Sequence, residues 1–258
     1  MKSVNTKDIL TYSVFSGTLS ELVENIYREI QTSEKKRYLA CLNPHSYVVS
    51  KNNKYFSKSL KTADWLVPDG TGILLASKIL RRPLYNRVTG FDVFDELHHH
   101  FEKAGGVKVF FLGSSKENLK EMKHKMEQQF SNVCVAGVYS PPFKNSFTAE
   151  ETRDMIMQVN SSKAQILWVG MTAPKQEEWI LQNIDFLDVK FIAAVGAVFD
   201  FYTGNVKRPS KFFCDLGLEW LPRLIREPRR LWRRMFVSAP IFIIDVLKQR
   251  IGKSDLLK

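Results

Sequence analysis

Cysteine is scarce in this chain of 258 residues, since Cys41, Cys134 and Cys214 are the three present and they lie far apart. Their odd number and wide spacing exclude a disulfide framework and a CxxC metal motif. Long apolar runs are also missing, because the stretch from residue 236 to 246 is short and contains a proline and an aspartate. No secretory leader pattern is visible at the amino terminus. We therefore expect a cytoplasmic protein without a membrane-spanning helix.

Motifs for common cofactors are missing as well. No turn has the GxGxxG or Walker pattern, which argues against nicotinamide oxidation and ATP hydrolysis. No DxD triplet is present to chelate a divalent ion together with a nucleotide diphosphate. The consecutive histidines His98, His99 and His100 point in different directions on a helix, so they lack the spacing that shares one metal. We expect neither a cofactor nor a metal.

Positive charge is abundant and unevenly placed. Residues 204–258 contain 13 Lys and Arg against 5 Asp and Glu, which gives +8 of the formal net charge of +11. The basic character therefore belongs to the carboxyl-terminal segment. We predict a core over residues 1–203 and a basic helical appendage over residues 204–258.

Short apolar segments alternate with helical patterns along the core. Strand-like runs are centred on residues 38–42, 65–67, 107–112, 133–137, 166–169 and 191–195. Helical periodicity lies between them, and no hairpin signature is visible. This alternation predicts an α/β fold with a Rossmann-like, mostly parallel sheet and helices on both faces.

Polar and glycine residues follow these strands where each one ends. Because the carboxyl ends of parallel strands meet at one edge of a sheet, we expect these positions to share a rim that binds a ligand. The rim positions are Asn43, Asp69, Gly113, Gly170 and Gly196.

The segment from Trp168 to Gln176 carries the clearest site pattern, because a glycine loop joins a strand to a helix there. Backbone N–H groups at a helix start attract phosphate, Lys175 adds a positive charge, and Gln176 offers amide donors and an acceptor. Pro174 suits a first helical turn. A tight turn with a solvated lysine explains the same pattern.

Three charged residues are candidates for chemistry, and each has a simpler explanation. Asp69 could act as a general base at a strand end, or could be a turn residue in Pro-Asp-Gly. Arg87 could neutralise a diphosphate, or could be a surface arginine. Asp200 could bind a sugar hydroxyl, or could support a turn.

The carboxyl-terminal segment combines apolar and basic residues at helical spacing. The apolar positions are Leu221, Leu224, Ile225, Leu231, Trp232, Met235 and Phe236. The arginines between them are Arg223, Arg226, Arg229, Arg230, Arg233 and Arg234. Such a segment suits an anionic membrane surface, packing on the core, or a nucleic-acid patch.

Short motifs follow one another in a fixed order from about Tyr38 to Trp232. They are Asn43-Pro44, Pro68-Asp69-Gly70, Arg87-Val88-Thr89-Gly90, Phe111-Leu112-Gly113, Pro141-Pro142-Phe143, Val169-Gly170, Pro174-Lys175-Gln176-Glu177, Gly196-Ala197, Thr203-Gly204, Lys207-Arg208-Pro209, Gly217-Leu218-Glu219-Trp220-Leu221 and Arg226-Glu227-Pro228 with Arg230. This ordered series resembles the WecG/TagA/CpsF glycosyltransferases. Where many members have Thr-x-Asn or Asn-Ala, this chain has Asn43-Pro44-His45-Ser46.

The resemblance implies an inverting, metal-independent transfer of a sugar from a UDP-sugar to a polyprenyl-diphosphate-linked saccharide at the inner membrane face. N-acetylmannosamine is the first donor to consider, and its uronic acid, glucose and galactose are others. The implied pathways are wall teichoic acid, common antigen, capsule and exopolysaccharide. The expected partners are the UDP-sugar, an undecaprenyl-diphosphate-linked acceptor and the inner membrane surface. Nucleic acid is not expected, and a homo-oligomer is possible.

The resemblance also implies roles for residues. Asp69 would deprotonate the acceptor, Gln176 and Asn43 would bind substrate groups, and Arg87 would face diphosphate. The remaining binding positions, which would cradle UDP or meet the lipid diphosphate, are Gly113, Ser114, Pro142, Gly170, Pro174, Lys175, Gly196, Asp200, Arg223 and Arg230. The alternative function is a non-catalytic basic protein that binds membranes or nucleic acid.

Overall fold

The computed structural model describes residues 5–206 and 228–254, except for the side chains at positions 229, 230, 253 and 254. Its strands are β1 (Thr6–Ile9), β2 (Tyr12–Phe15), β3 (Arg37–Leu42), β4 (Trp65–Pro68), β5 (Val107–Leu112), β6 (Val133–Tyr139), β7 (Ile166–Val169) and β8 (Phe191–Ala194). Its first helices are α1 (Leu19–Thr32), α2 (Pro44–Lys51), α3 (Lys54–Thr62), α4 (Thr71–Ile79), α5 (Gly90–Ala104) and α6 (Lys116–Gln129). They are followed by α7 (Ala149–Ser161), α8 (Lys175–Asn183), a 3₁₀ turn (Ile184–Phe186), α9 (Val198–Thr203), α10 (Pro228–Trp232), a π-helical segment (Arg233–Ser238) and α11 (Ala239–Ser254).

Six strands form one parallel sheet in the order β4-β3-β8-β7-β5-β6. Strands β4, β7 and β8 are buried along their whole length, because helices cover both sides of them. Parallel neighbours need a crossover connection, and helices supply it between most of these strands. The α/β fold and its parallel sheet are therefore confirmed.

Local sequence signals start several of the helices. Thr18, Thr89 and Thr148 each accept a hydrogen bond from the third backbone N–H of the following helix, and an acidic side chain there bonds back to the threonine N–H. These capping boxes satisfy two donors that a helix start leaves without a partner. Gly105 ends α5 in the left-handed conformation that glycine adopts without strain.

The structure contains one hairpin, for which the sequence shows no signature. β1 and β2 pair in antiparallel register, with Ile9 opposite Tyr12, before the parallel sheet begins. The turn between them contains Leu10 at φ 56° instead of the Asn-Gly or Asp-Gly pair that usually marks such a turn. The hairpin therefore gives little local signal, and burial of Ile9 and Tyr12 against the core stabilises it.

Hydrophobic side chains pack on both faces of the sheet. One face is covered by α1, α5, α6 and α9, through residues such as Phe94 and Phe199. The other is covered by α2, α3, α4, α7, α8 and α11, through residues such as Tyr47 and Phe242. Helices on both faces were predicted, and the structure confirms them.

The carboxyl-terminal helix α11 packs on the core. Phe242 and Val246 are 1% and 0% exposed and belong to the same hydrophobic cluster as the sheet. The Tyr47 hydroxyl donates to Asp245 Oδ2 at 3.0 Å, and Lys51 Nζ lies 2.6 Å from the same oxygen.

The domain division at residue 203 stays a prediction. Of the helices in the described ranges, none has the length and apolarity needed to cross a membrane.

Candidate active site

A cavity of about 740 Å³ lies at the carboxyl edge of the parallel sheet. The loop after each of the six strands contributes to its wall, because parallel strands all end at this edge. In strand order from β3 to β8, the contributing residues include Asn43, Asp69, Ser114, Pro142, Gly170 and Gly196. The sequence-predicted rim is therefore one continuous surface, apart from Gly113, whose place is taken in the lining by Ser114.

Asp69 lies at the end of β4 and lines the cavity with a half-buried side chain. Its backbone N–H donates to the Leu42 carbonyl at 2.9 Å, which continues the pairing of β4 with β3. Gly70 follows it at φ 90°, so the chain turns sharply into α4. Burial raises the pKa of the Cys41 thiol, and the Asp69 carboxylate raises it further by a smaller amount.

Asn43 lines the cavity from the start of α2. Its Oδ1 accepts from the Ser46 N–H at 2.9 Å, and its own N–H donates to Ser46 Oγ at 2.8 Å. Asn43 is therefore the N-cap of α2. Since the cap uses one lone pair of Oδ1, a ligand can bond to Nδ2 or to the second lone pair.

Gln176 joins two loops of the cavity. Its Oε1 accepts from the backbone N–H of Met171, after β7, and from that of Gly196, after β8, both at 3.1 Å. Its Nε2 donates to Glu177 Oε1 at 2.8 Å. The side chain is 3% exposed. The buried amide therefore holds the ends of adjacent strands in register at the site.

Glu177 is a buried acid on the cavity wall that sequence analysis did not single out. It is 3% exposed, and its Oε2 has no hydrogen-bond partner. Burial raises the pKa of this carboxyl to about 7, against the hydrogen bonds from Gln176 and from its own backbone N–H. The signal available in the sequence was its place in the Pro-Lys-Gln-Glu motif.

Glycines allow the loops to approach each other closely. A Cβ on Gly113, which has φ 113°, would lie 2.7 Å from the Gly170 carbonyl oxygen. A Cβ on Gly170 would lie 2.4 Å from the ring of Phe199. Real side chains do not tolerate such contacts, so the loops after β5, β7 and β8 depend on these glycines.

A polar network supports the part of the cavity wall that is formed by the loop after β5 and by α9. Asn118 is buried on α6, and its Nδ2 donates to Ser114 Oγ at 2.7 Å and to Asp200 Oδ1 at 2.8 Å. Its Oδ1 accepts from Asn205 Nδ2 at 2.9 Å. Ser114 and Asp200, both predicted site residues, are thus held together, and Asn118 is a supporting residue that sequence analysis missed.

Lys175, the first residue of α8, lines the cavity and contacts the loop that follows β6. Its Nζ donates to the Lys144 carbonyl at 2.8 Å and lies over the rings of Phe143 and Phe147, 5.9 and 5.0 Å from their centroids. Partial burial lowers the pKa of its ammonium group. The Pro142 loop is therefore held against the start of α8, and Phe143 is fully exposed at the rim.

Some predicted site residues do not themselves line the cavity. The cavity lining does not include Arg87, Gly113 or Pro174. Residues close to them in the chain do line it, namely Thr89, Ser114 and Lys175. Pro174 is the N-cap of α8 and follows a cis peptide bond. Arg223 and the side chain of Arg230 lie outside the described residues. Their roles stay predictions.

The basic carboxyl-terminal segment reaches the cavity through Arg234. This residue lies in the π-helical segment and is part of the lining. Ser238, one turn on, is hydrogen-bonded to His45 Nδ1 at 2.9 Å, next to the Asn43 cap. Burial, with Arg234 and Arg233, lowers the pKa of His45 to about 4. Arg234 is thus the arginine of this segment that the described structure places at the site.

The three consecutive histidines lie away from this cavity. His98 is buried between Phe94, Phe130 and Trp168, and its Nδ1 donates to the Phe94 carbonyl at 2.6 Å. Burial lowers its pKa to about 3. Across residues 5–206 and 228–254, no three His, Cys, Asp or Glu side chains are grouped so that they could hold a metal ion.

The sequence matches the glycosyl transferase WecG/TagA/CpsF family over residues 7–256. The chain belongs to this family. It is therefore a UDP-sugar-dependent glycosyltransferase, and the cavity at the carboxyl edge of the sheet is the candidate active site of a WecG/TagA/CpsF enzyme.

Curated relatives resemble the chain along almost its whole length. One from Bacillus spizizenii is 29% identical over 247 residues, which cover 95% of this chain and 92% of the relative. Two from Staphylococcus aureus, strains MRSA252 and MW2, are 27% and 26% identical over 244 residues, covering 94% of this chain and 92% of each relative. All three are named N-acetylglucosaminyldiphosphoundecaprenol N-acetyl-beta-D-mannosaminyltransferase.

Proposed function

We propose that this WecG/TagA/CpsF enzyme transfers N-acetylmannosamine from its UDP donor to N-acetylglucosaminyl-diphosphoundecaprenol, with inversion at the anomeric carbon. The names of the relatives supply the sugar and the acceptor. The observation that carries the proposal is the meeting of Asp69, the strand-end loops and Arg234 in one cavity. Its volume of about 740 Å³ lies within the usual range for small-molecule sites.

Asp69 is the proposed general base. In a single displacement, the base takes the proton of the acceptor hydroxyl while the oxygen bonds to the anomeric carbon and the bond to UDP breaks. A half-buried carboxylate on the cavity wall meets the requirement that a base be reachable by a substrate. Asn43 follows β3, the neighbour of β4, and Gln176 lies in the first turn of α8. Both line the cavity and help to shape the pocket around that carbon.

The departing UDP needs stabilisation of negative charge. Helix α6 starts at the cavity with Ser115 as its N-cap, and Lys116 in its first turn adds a cation to the lining. The Glu117 carboxylate, which bonds to its own backbone N–H, lies at the same helix start and offsets part of its positive potential. Arg234 and Lys175 add positive charge at the rim. The start of α8 contributes less than expected, because the Glu177 carboxylate already lies there.

A lipid-linked acceptor requires the enzyme to work at a membrane surface. Trp232 and Phe236 are 56% and 53% exposed, and their ring centroids lie 4.4 Å apart beside Arg234. Exposed aromatic and basic residues together favour binding to anionic lipid. We infer a peripheral enzyme whose carboxyl-terminal segment contacts the bilayer and delivers the lipid diphosphate to the cavity, in synthesis of a cell-wall polysaccharide such as teichoic acid.

The test is UDP release from a panel of UDP-sugars, with and without a short-chain lipid-diphosphate N-acetylglucosamine acceptor. We expect acceptor-dependent release with UDP-N-acetylmannosamine, and loss of at least 100-fold of that rate in Asp69→Asn with UDP binding retained. The matched control is Asp185→Asn at an exposed position, which should behave as wild type. Full activity in Asp69→Asn would exclude this residue as the base.

A further inference from the structure

Glu177 has a buried carboxyl for which neither the fold nor the proposed displacement accounts. One oxygen, Oε1, accepts from Gln176 Nε2, whereas Oε2 has no partner. A buried acid with an unsatisfied oxygen costs free energy of folding, and a well-packed apolar residue of similar size would not. Such a group on a cavity wall is a candidate for a functional role.

The Gln176 amide has two possible orientations, and they are not equivalent. In the observed one, Oε1 accepts from the backbone N–H groups of Met171 and Gly196. A flipped amide would point its NH₂ group at both N–H donors, and donors do not bond to each other. The two N–H groups and the acceptor for Nε2 therefore favour the same orientation, and loss of that acceptor would leave Nε2 buried without its partner.

We propose that Glu177 is a positioning residue, which orients the Gln176 amide and thereby holds the loops after β7 and β8 in the geometry that binds the donor. The carboxyl is well placed for this role, because it presents an acceptor that cannot also donate while it is ionised. Hydrogen bonds from Gln176 and from its own backbone N–H both favour the ionised form and lower the pKa that burial raises.

A change in the orientation of the Gln176 amide would affect donor binding through the backbone of the loops after β7 and β8. Met171 and Gly196 line the cavity, and Gly170 between β7 and Met171 packs on Phe199 of α9. Release of the two N–H groups would allow both loops to move relative to each other. Since positioning errors of about 1 Å cost roughly 100-fold in rate, the loss should be large.

The inference rests on the proposed use of this cavity for the donor, and the experiment separates the two. Wild type, Glu177→Leu and Glu177→Gln are compared by UDP titration calorimetry, thermal unfolding and amide hydrogen exchange at Met171 and Gly196. In Glu177→Leu we expect at least tenfold weaker UDP binding and at least tenfold faster exchange of both amides, with a melting temperature equal to or above that of wild type. Glu177→Gln, which keeps an acceptor for Nε2, should restore binding to within threefold.

Glu178→Gln is the matched control, because it changes the next residue of α8, which bonds to Asn53 instead of lining the cavity. Unchanged amide exchange and UDP affinity in Glu177→Leu would overturn the positioning role. No UDP binding by wild type would instead overturn the proposed donor site, while the exchange rates would still test the orientation of Gln176.

Discussion

Gly170 has no room for a side chain, because the Phe199 ring lies 2.4 Å from the position its Cβ would take. We expect Gly170→Ala to destabilise the protein by about 1–3 kcal/mol, the usual cost of adding volume to a packed interior. The displaced ring would also move α9, which carries Asp200, so UDP binding should weaken at least tenfold. Urea unfolding and UDP titration measure the two effects.

Gly252→Ala is the control for that substitution. A Cβ at Gly252 meets no atom within 4 Å, and alanine is the better helix former by about 1 kcal/mol. This variant should be as stable as wild type or slightly more so. Equal stability of both alanine variants would show that the Phe199 ring moves aside at little cost.

His98 couples stability to pH. Its pKa in the folded protein, about 3, lies below the ordinary value of 6.5, so the unfolded chain binds a proton that the folded chain does not. Stability from this site is complete above about pH 6.5 and falls as the pH drops, by about 1.4 kcal/mol per unit. In His98→Phe, the loss in unfolding free energy between pH 7 and 5 should be about 2 kcal/mol smaller than in wild type.

Urea unfolding at the two pH values measures this difference, and His124→Gln serves as the control at an exposed histidine. The control should keep the wild-type pH dependence. An identical pH dependence in His98→Phe would mean that His98 has the same pKa in the folded and the unfolded protein.

At the scale of elements, apolar burial decides how α11 binds to the core. Phe242 is 1% exposed and its ring lies 5.4 Å from that of Tyr47, centroid to centroid. Phe242→Ala should cost about 3–5 kcal/mol, whereas Asp245→Asn, which weakens a partly exposed ion pair with Lys51, should cost about 1 kcal/mol or less. Chemical denaturation gives both values, and hydrogen exchange should show the loss of protection along α11 in Phe242→Ala. A larger loss in Asp245→Asn would mean that the ion pair is the main attachment.

At the scale of the whole molecule, charge and exposed aromatic residues lie in the same carboxyl-terminal segment. We expect the double variant Trp232→Ser, Phe236→Ser to bind anionic vesicles at least tenfold more weakly than wild type, because two exposed rings no longer enter the lipid interface. Binding of wild type should also fall steeply with salt, since the segment carries +8. Vesicle sedimentation measures both.

Phe143→Ser is the control, because the Phe143 ring is even more exposed than Trp232 and Phe236 but lies on the loop after β6. Loss of vesicle binding in this variant alone would place the membrane contact on that loop. Deletion of the whole segment is a poorer test, because Phe242 and Val246 belong to the core and their removal would also destabilise the fold.

The positions of the strands were predictable because each core strand is a short buried run with a turn signal after it. β4, predicted over residues 65–67, spans Trp65–Pro68, and β5 has the predicted bounds of 107 and 112. Strand direction follows from the helices between them, so the shared rim could be derived too. The β1–β2 hairpin was missed, because Leu10 at φ 56° is an unusual turn residue that tertiary packing holds in place.

Within the site, sequence order revealed residues at strand ends but not their hydrogen-bond partners. Gln176 was predicted as a ligand of the substrate, and the structure adds that its amide joins two loops. Asn118 and Glu177 were missed because a polar residue in a helical pattern usually faces solvent, and only packing shows that it is buried.

The sequence by itself determined the alternation of strands and helices, the edge of the sheet at which Asp69 lies, and the basic character of residues 204–258. These properties depend on local periodicity and on charge, which need no long-range contacts. Tertiary structure alone decided the strand order, the burial of Glu177 and the place of Arg234 in the cavity wall. Each of these joins residues far apart in the chain, and their proximity is set by how the helices pack on the sheet.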